Sequence, residues 1–183
     1  NKLHARKCNV VIPTVDQVRR FQTETHIQKY VGFSVALALE YQGNIVSVLT
    51  MGKPRYSSTH QWELLRLSSS LDHTIVGGAS KLFSHFVKHY CPTDVISYSD
   101  ASWNTGNVYD RLGFEFIRQS KPSYQYFHRS RAHKLYHRSQ FQKHKLAKLI
   151  ATFDPSLTEW ENMRANGYDR IWDSGNSVWQ WVA

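Results

Sequence analysis

The residues best placed to do chemistry lie between Trp62 and Phe114. Within that stretch, Thr74-Ile75-Val76-Gly77-Gly78-Ala79-Ser80 feeds two glycines into a strongly amphipathic run. The first turn of a helix has unpaired N–H donors and the positive end of its dipole, so the glycine turn is a candidate phosphate site. Just upstream, Trp62-Glu63-Leu64-Leu65-Arg66-Leu67 sets a carboxylate and a guanidinium inside an apolar strand. Such charges need partners or water, and the two serve either as a structural pair or solvent contact, or as part of a site. Downstream, residues 116–153 contain no Asp or Glu, while Arg118, Lys121, Arg129, Arg131, Lys134, Arg138, Lys143, Lys145 and Lys148 supply nine cations. Tyr124, Tyr126, Phe127, Tyr136 and Phe141 interleave with them. Phosphate contacts release counterions and aromatic rings stack on bases, so this block fits a nucleic-acid face, which Lys53 and Arg55 join. The alternative is a solvated helix surface over buried aromatics.

Other constellations carry less. His128, His133, His137 and His144 lack the tight pairing of a zinc module, and no cysteine joins them. No metal is expected. His26 reads as a partly exposed structural histidine. Cys8 and Cys91 lie far apart and form no CxxC pair, which favours a reduced intracellular chain. No GxSxG or Walker loop is present.

The elements that must position these residues follow from periodicity. A strand over residues 9–12 precedes a helix opened by the capping box Thr14-Val15-Asp16-Gln17 and running to about Lys29. Residues 33–41 and 45–51 form an antiparallel hairpin around Gln42-Gly43-Asn44. In the strand from Trp62, alternation sets Glu63, Leu65 and Leu67 on one face and Trp62, Leu64 and Arg66 on the other. Ala79, Leu82, Phe83, Phe86, Val87 and Tyr90 then mark one buried helix face. A short strand over 94–98 and a helix over 104–112, closed by Gly113, complete a strand–helix alternation that implies a parallel or mixed sheet. Residues 114–119 and 124–128 read as a closing hairpin around Lys121-Pro122-Ser123. The capping box Thr158-Glu159-Trp160-Glu161 opens a short helix, and a strand over 178–182 follows. Trp160, Trp172, Trp179 and Trp181 read as the core of this last subdomain.

With 183 residues, 41% hydrophobic and 14% aromatic, the chain suits one main domain with an appendage. The division expected is residues 1–128 as the domain and 129–183 as a basic extension packed on it. A formal charge of +9 favours an anionic partner, with nucleic acid ahead of a membrane surface. No run reaches the roughly 20 apolar residues of a membrane span, so a cytoplasmic protein is expected. The chain opens with Asn1-Lys2-Leu3-His4-Ala5-Arg6-Lys7-Cys8 rather than methionine, from which an upstream segment is expected.

The order strand, glycine turn, helix, strand, helix, with a Tyr just before Leu-Gly-Phe, resembles the GNAT acyltransferase superfamily. That family's cofactor loop reads Gln/Arg-x-x-Gly-x-Gly/Ala; here Gly77 and Ala79 match it and Thr74 replaces its first residue. Asn107-Val108-Tyr109-Asp110-Arg111-Leu112-Gly113-Phe114 matches the later motif. More narrowly, Glu63-Leu64-Leu65-Arg66-Leu67, Ser80, Ser97-Tyr98-Ser99-Asp100 and Gly106-Asn107-Val108-Tyr109 resemble the Mom-type branch, phage proteins that modify adenine in DNA. Phe141-Gln142-Lys143-His144-Lys145-Leu146, Glu161-Asn162-Met163 and Asn166-Gly167-Tyr168 are similar to the C-terminal region of phage proteins that carry an upstream Vsr-like homing-endonuclease domain.

The resemblance implies an α/β (α+β) fold with a GNAT-like central mixed sheet flanked by helices. It implies acetyl-CoA or a related acyl-CoA as cofactor, bound by Leu67, Thr74, Val76, Gly77, Gly78, Ala79, Ser80 and Asn107. Tyr109 would protonate the leaving thiolate, Glu63 or Asp100 would take a proton from the acceptor, and Ser80 would add a hydroxyl contact. The partners implied are DNA and an attached nuclease domain. Three functions are open: a Mom-like DNA-modifying transferase, a non-catalytic DNA-binding module that keeps the fold, or a protein or small-amine acetyltransferase.

Overall fold

The computed structural model describes residues 1–103 and 105–183. In chain order the elements are β1 (Lys2–His4), β2 (Asn9–Val11), α1 (Val15–Thr25), β3 (Val35–Tyr41), β4 (Asn44–Gly52), β5 (Trp62–Ser69) and β6 (Thr74–Val76). They continue with α2 (Gly78–Tyr90), β7 (Asp94–Asp100), α3 (Asn107–Leu112), β8 (Glu115–Gln119), β9 (Tyr124–His128) and β10 (Arg131–His137). Last come α4 (Lys143–Leu146), α5 (Glu159–Ala165), β11 (Tyr168–Trp172) and β12 (Asn176–Val182).

The chain divides into two compact units, the first made of Asn1–Ser99, Trp103–Gln119 and Ser177–Ala183 and the second of Asp100–Ser102 and Ser120–Asn176. The boundary read from charge, at residues 128/129, falls inside the second unit, between β9 and β10. In the first unit a seven-stranded sheet runs β2-β3-β4-β5-β7-β12-β8. Its first four strands are antiparallel and β5 and β7 are parallel, so the sheet is mixed. Strand β3 reads as a nearly continuous apolar run because both of its faces are covered. Ala36 and Ala38 pack with Val18 of α1, while Leu37 and Leu39 join Leu82, Phe83 and Phe86 of α2 on the other side. Helix α1 starts at the expected capping box, with Thr14 and Gln17 each bonded to the other's backbone. It stops at Thr25 rather than near Lys29, because His26 is extended and Lys29 has a positive φ of 58°. The helix expected over 104–112 is α3; Asn104 lies outside the described residues.

The second unit is a three-stranded antiparallel sheet, β10-β9-β11, over a small core of Tyr126, Phe141, Leu146 and Met163. Buried Asn162 ties its loop, donating to Asp154 O and Thr158 O at 2.9 and 3.0 Å and accepting from Asp154 N at 2.8 Å. Thr158 and Glu161 form the second expected capping box.

Two expectations are corrected. Strands β8 and β9 do not form a hairpin: β8 pairs with β12, and β9 pairs with β10 and β11. The polar groups of the turn that should join them bind the β11–β12 connection instead, Ser123 N–H reaching Asp173 Oδ1 at 2.7 Å and Ser120 Oγ accepting from Asn176 N at 2.8 Å. The four tryptophans do not share one core either. Trp179 is buried in the first unit with Trp181 packed beside it, Trp160 packs in the second, and Trp172 is 58% exposed.

Candidate active site

The site is built on a break in the sheet. Strands β5 and β7 pair only over residues 62–64 and 95–97, and the ladder stops at Leu64–Ser97. On the other edge of β5, Thr50 pairs with Arg66 and Met51 with Leu64, which leaves Leu65 as an extra residue. That is a β-bulge, and a bulge reverses the facing of the residues beyond it. Glu63 and Arg66 therefore share a face, contrary to the regular alternation expected for this strand. Arg66 points to the α1 side, where its Nε donates to Lys29 O at 3.2 Å.

On the opposite face, Ser97 and Ser99 hold two stacked rings. Ser97 Oγ lies 2.9 Å from Leu64 O and 3.0 Å from the Tyr109 phenolic oxygen. Ser97 Oγ is the donor in both contacts, its one proton shared between the carbonyl and the phenol oxygen. Trp179 Nε1 donates to Ser99 Oγ at 2.8 Å, and its ring stacks on Tyr109 at 5.2 Å and 9°. Tyr109 is only 8% exposed, and burial pushes its phenol pKa above the ordinary value. Its proton is tightly held.

The glycine turn has the geometry its sequence implies. Gly77 caps α2 in the left-handed region, with φ 76°, and the first intrahelical bond is Lys81 N–H to Gly77 O at 3.0 Å. The N–H groups of Gly78, Ala79 and Ser80 therefore have no acceptor within the helix. A cavity of about 340 Å³ opens on this turn, lined by Gly77, Gly78, Ala79, Ser80, Asn107 and Arg111 together with Ile75, Val108 and Leu112. The structure thus gathers five of the expected cofactor residues around one space. Thr74 and Val76 are exposed residues of β6, paired with Lys2 and His4, and Leu67 packs against the main core opposite Leu49.

The expected bases stand in contrasting settings. The Glu63 carboxylate accepts from Arg55 Nη2 at 2.6 Å, Arg55 Nε at 3.0 Å and Arg55 N at 2.7 Å. Both of its oxygens are engaged by one residue. Asp100, the last residue of β7, accepts from Ser102 N at 2.9 Å. Burial and then the nearby Arg66 charge lower His26 to about 4, so the ring is neutral near pH 7.

Neither sequence comparison finds a match: no family model and no curated protein corresponds to this chain. Solved structures do. A Bacillus subtilis acetyltransferase in complex with CoA aligns at 10% identity over 97% of this chain and 99% of that one, with a TM-score of 0.54. A GNAT family acetyltransferase from Elizabethkingia anophelis with acetyl-CoA bound gives 0.51, at 9% identity over 97% and 99%. An Arabidopsis thaliana protein in complex with the bisubstrate analogue CoA-Ac-MVNAL gives 0.56, at 9% identity over 97% and 99%. The chain has the GNAT acetyltransferase fold.

Within this GNAT fold, the sequence reading missed Arg111, Ser97 and Trp179. Arg111 had a signal, since i and i+4 place it one turn beyond Asn107 on the same helix face. The pairing of Ser97 and Trp179 with Tyr109 had none, because it is made by elements far apart in sequence. Of the expected nucleic-acid residues, Lys53, Arg55 and Arg118 lie exposed in the first unit. Lys121, Arg129, Arg131, Lys134, Arg138, Lys143 and Lys145 lie exposed in the second. Some are partly committed: Arg129 pairs with Asp169 at 3.2 Å, Lys134 and Arg138 sit over Tyr136 and Tyr124, and Lys145 donates to Ser139 O at 3.0 Å. Among the described residues no three metal-ligating side chains gather, and no helix is long and apolar enough to cross a membrane.

Proposed function

We propose that this protein is an acyl-CoA-dependent N-acyltransferase of Mom-like type whose acceptor is adenine in DNA. The observation that carries the reading is the cavity at the first turn of α2, whose wall includes Asn107 and Val108, the residues just before Tyr109. The residues around it fit a CoA pyrophosphate. Unpaired N–H groups of Gly78, Ala79 and Ser80 point where an anion is stabilised by the helix dipole, and Arg111 adds a fixed cation. A side chain at Gly78 would bring its Cβ within 2.8 Å of Ile75 Cγ2 and 3.4 Å of Leu39 Cδ1, so glycine is needed there for the start of α2 to pack against the core.

Acetyl-CoA, when bound, supplies an acetyl group activated as a thioester. Tyr109 holds a proton that a departing thiolate needs, and a phenol near pH 7 is fully protonated against a thiol of pKa about 8.5. With acetyl-CoA bound, Tyr109 would be the group that supplies this proton, and Ser97 Oγ the one that holds the phenol oxygen in place. The proton lost by the acceptor amine goes to Asp100 or, with Arg55 displaced, to Glu63. The exposed basic residues would contact the DNA backbone, and the target base must be unstacked first, at about a few kcal/mol. The similarity to phage proteins with a Vsr-like nuclease makes an attached nuclease part of the same proposal.

One observation favours a second reading, a DNA-binding module that has kept only the fold. Tyr109 is enclosed by Trp179 and Phe114, and Glu63 is saturated by Arg55. Calorimetry with acetyl-CoA and mass spectrometry of nucleosides from DNA co-expressed with the protein separate the two. The transferase reading expects binding and a modified adenine nucleoside, with Tyr109→Phe keeping the first and losing the second. No binding at millimolar acetyl-CoA selects the module, and acylated protein with unmodified DNA selects a protein acceptor.

A further inference from the structure

Three observations converge on the α1 face of the opening between β5 and β7. The first is an under-compensated cation. Arg66 is partly buried, yet its guanidinium bonds only to carbonyls, Nε to Lys29 O at 3.2 Å and Nη1 to Leu65 O at 2.7 Å. Among the described residues no carboxylate forms an ion pair with it, because the nearby Glu63 is taken by Arg55. Burial and the like charge of Arg55 both work against the Arg66 charge. A guanidinium desolvated in this way, and fixed in place by two carbonyls, is completed by an anion.

The second observation is an exposed ring with a rigid backing. Tyr56 is 76% exposed and stands edge-on to Tyr98 at 5.6 Å, with the Arg55 guanidinium 5.6 Å from its centroid. Held between a second ring and a cation, it offers a free face to a flat ligand. The third is placement. Tyr98 follows Ser97, the last residue of the β5–β7 ladder, and successive residues alternate, so Tyr98 lies on the face opposite Tyr109. The bulge at Leu65 brings Arg66 to that same face.

We propose that this face is a nucleotide subsite, in which Arg66 binds a phosphate and Tyr56, backed by Tyr98, stacks on the base. A guanidinium matches phosphate through paired N–H donors, and Nη2 of Arg66 makes no bond among the described residues. The proposal rests on the transferase reading only for what happens to the nucleotide once bound. Recognition itself does not depend on it.

The test titrates the full chain with dAMP and with deoxyadenosine, followed by NMR line shifts. The expected result is roughly tenfold tighter binding of dAMP, the margin one charge-assisted phosphate contact provides. Arg66→Gln should remove that margin while acetyl-CoA binding, measured on the same sample, stays as it was. Tyr56→Ala, at an exposed position that cannot disturb the core, should weaken both probes by about fivefold or more. Equal affinity for the two probes, a margin that survives Arg66→Gln, or no effect of Tyr56→Ala would each overturn the proposal. Competition by glutarate as effective as by dAMP would do so too, and would assign the site to a carboxylate-bearing acceptor. If acetyl-CoA fails to bind but the dAMP margin tracks Arg66, the transferase reading falls and the nucleotide subsite stands.

Discussion

Replacing Arg55 by methionine tests the charge arrangement around Glu63. The Glu63 side chain is 1% exposed and its partner guanidinium 36%. Arg55→Met removes the bonds of 3.0 and 2.6 Å and leaves the carboxylate only the backbone N–H at 2.7 Å. Removing one partner of a buried pair costs about 3–5 kcal/mol, and because the Arg55 end is open to water a lower figure of about 2–3 kcal/mol applies. For a chain of this size that corresponds to a fall in Tm of about 4–12 °C. Adding Glu63→Gln removes the stranded charge while keeping an oxygen for the backbone N–H, and should restore at least about half of the loss. Thermal melts of the single and double variants give the result. No rescue by Glu63→Gln would refute the claim that an isolated charge is the cause.

Two further outcomes concern the first unit. Gly106 caps α3 at φ 84° with the Trp179 ring against it, so Gly106→Ala combines a left-handed backbone cost of about 1–2 kcal/mol with overpacking of about 1–3 kcal/mol. Gly43→Ala, at φ 77° with nothing within 4 Å, should show the backbone cost alone, and equal melting temperatures for the two variants would contradict the packing account. His26 is held near 4 in the folded protein against 6.5 when free, so the unfolded chain binds more protons between those values. Stability should therefore be full above pH 6.5 and fall as pH drops toward 4, by about 1 kcal/mol after allowing for its partial exposure. Melts of His26→Gln should lose this slope between pH 7 and pH 5.

What the sequence disclosed was what local chemistry decides. The Thr14 and Thr158 capping boxes, the apolar face of α2 and the left-handed glycine before it each depend on a few neighbouring residues, and each is present. Pairings between distant strands were not disclosed. Turn chemistry at residues 121–123 fits a hairpin as well as it fits the observed link to Asp173, and only the demand of β8 for β12 decides between them. The facing of Arg66 was hidden for a related reason. Alternation assumes a regular ladder, and a bulge is fixed by the register of the neighbouring strand rather than by the bulged residues themselves.

The same distinction governs the proposed acid. A motif can place a tyrosine on α3, but the groups that surround the phenol come from elsewhere in the chain. Ser97 and Ser99, two residues apart and so on one face of β7, hold Tyr109 and Trp179 respectively, and the two rings are parallel. Trp179 arrives on β12, paired between β7 and β8. The late strand therefore fixes the position of the phenol and buries it, which raises its pKa further above the ordinary value. As the proposed acid, Tyr109 would have to lose part of this enclosure before its proton could leave. In that sense the setting of the proposed acid is decided by a strand at the other end of the sequence.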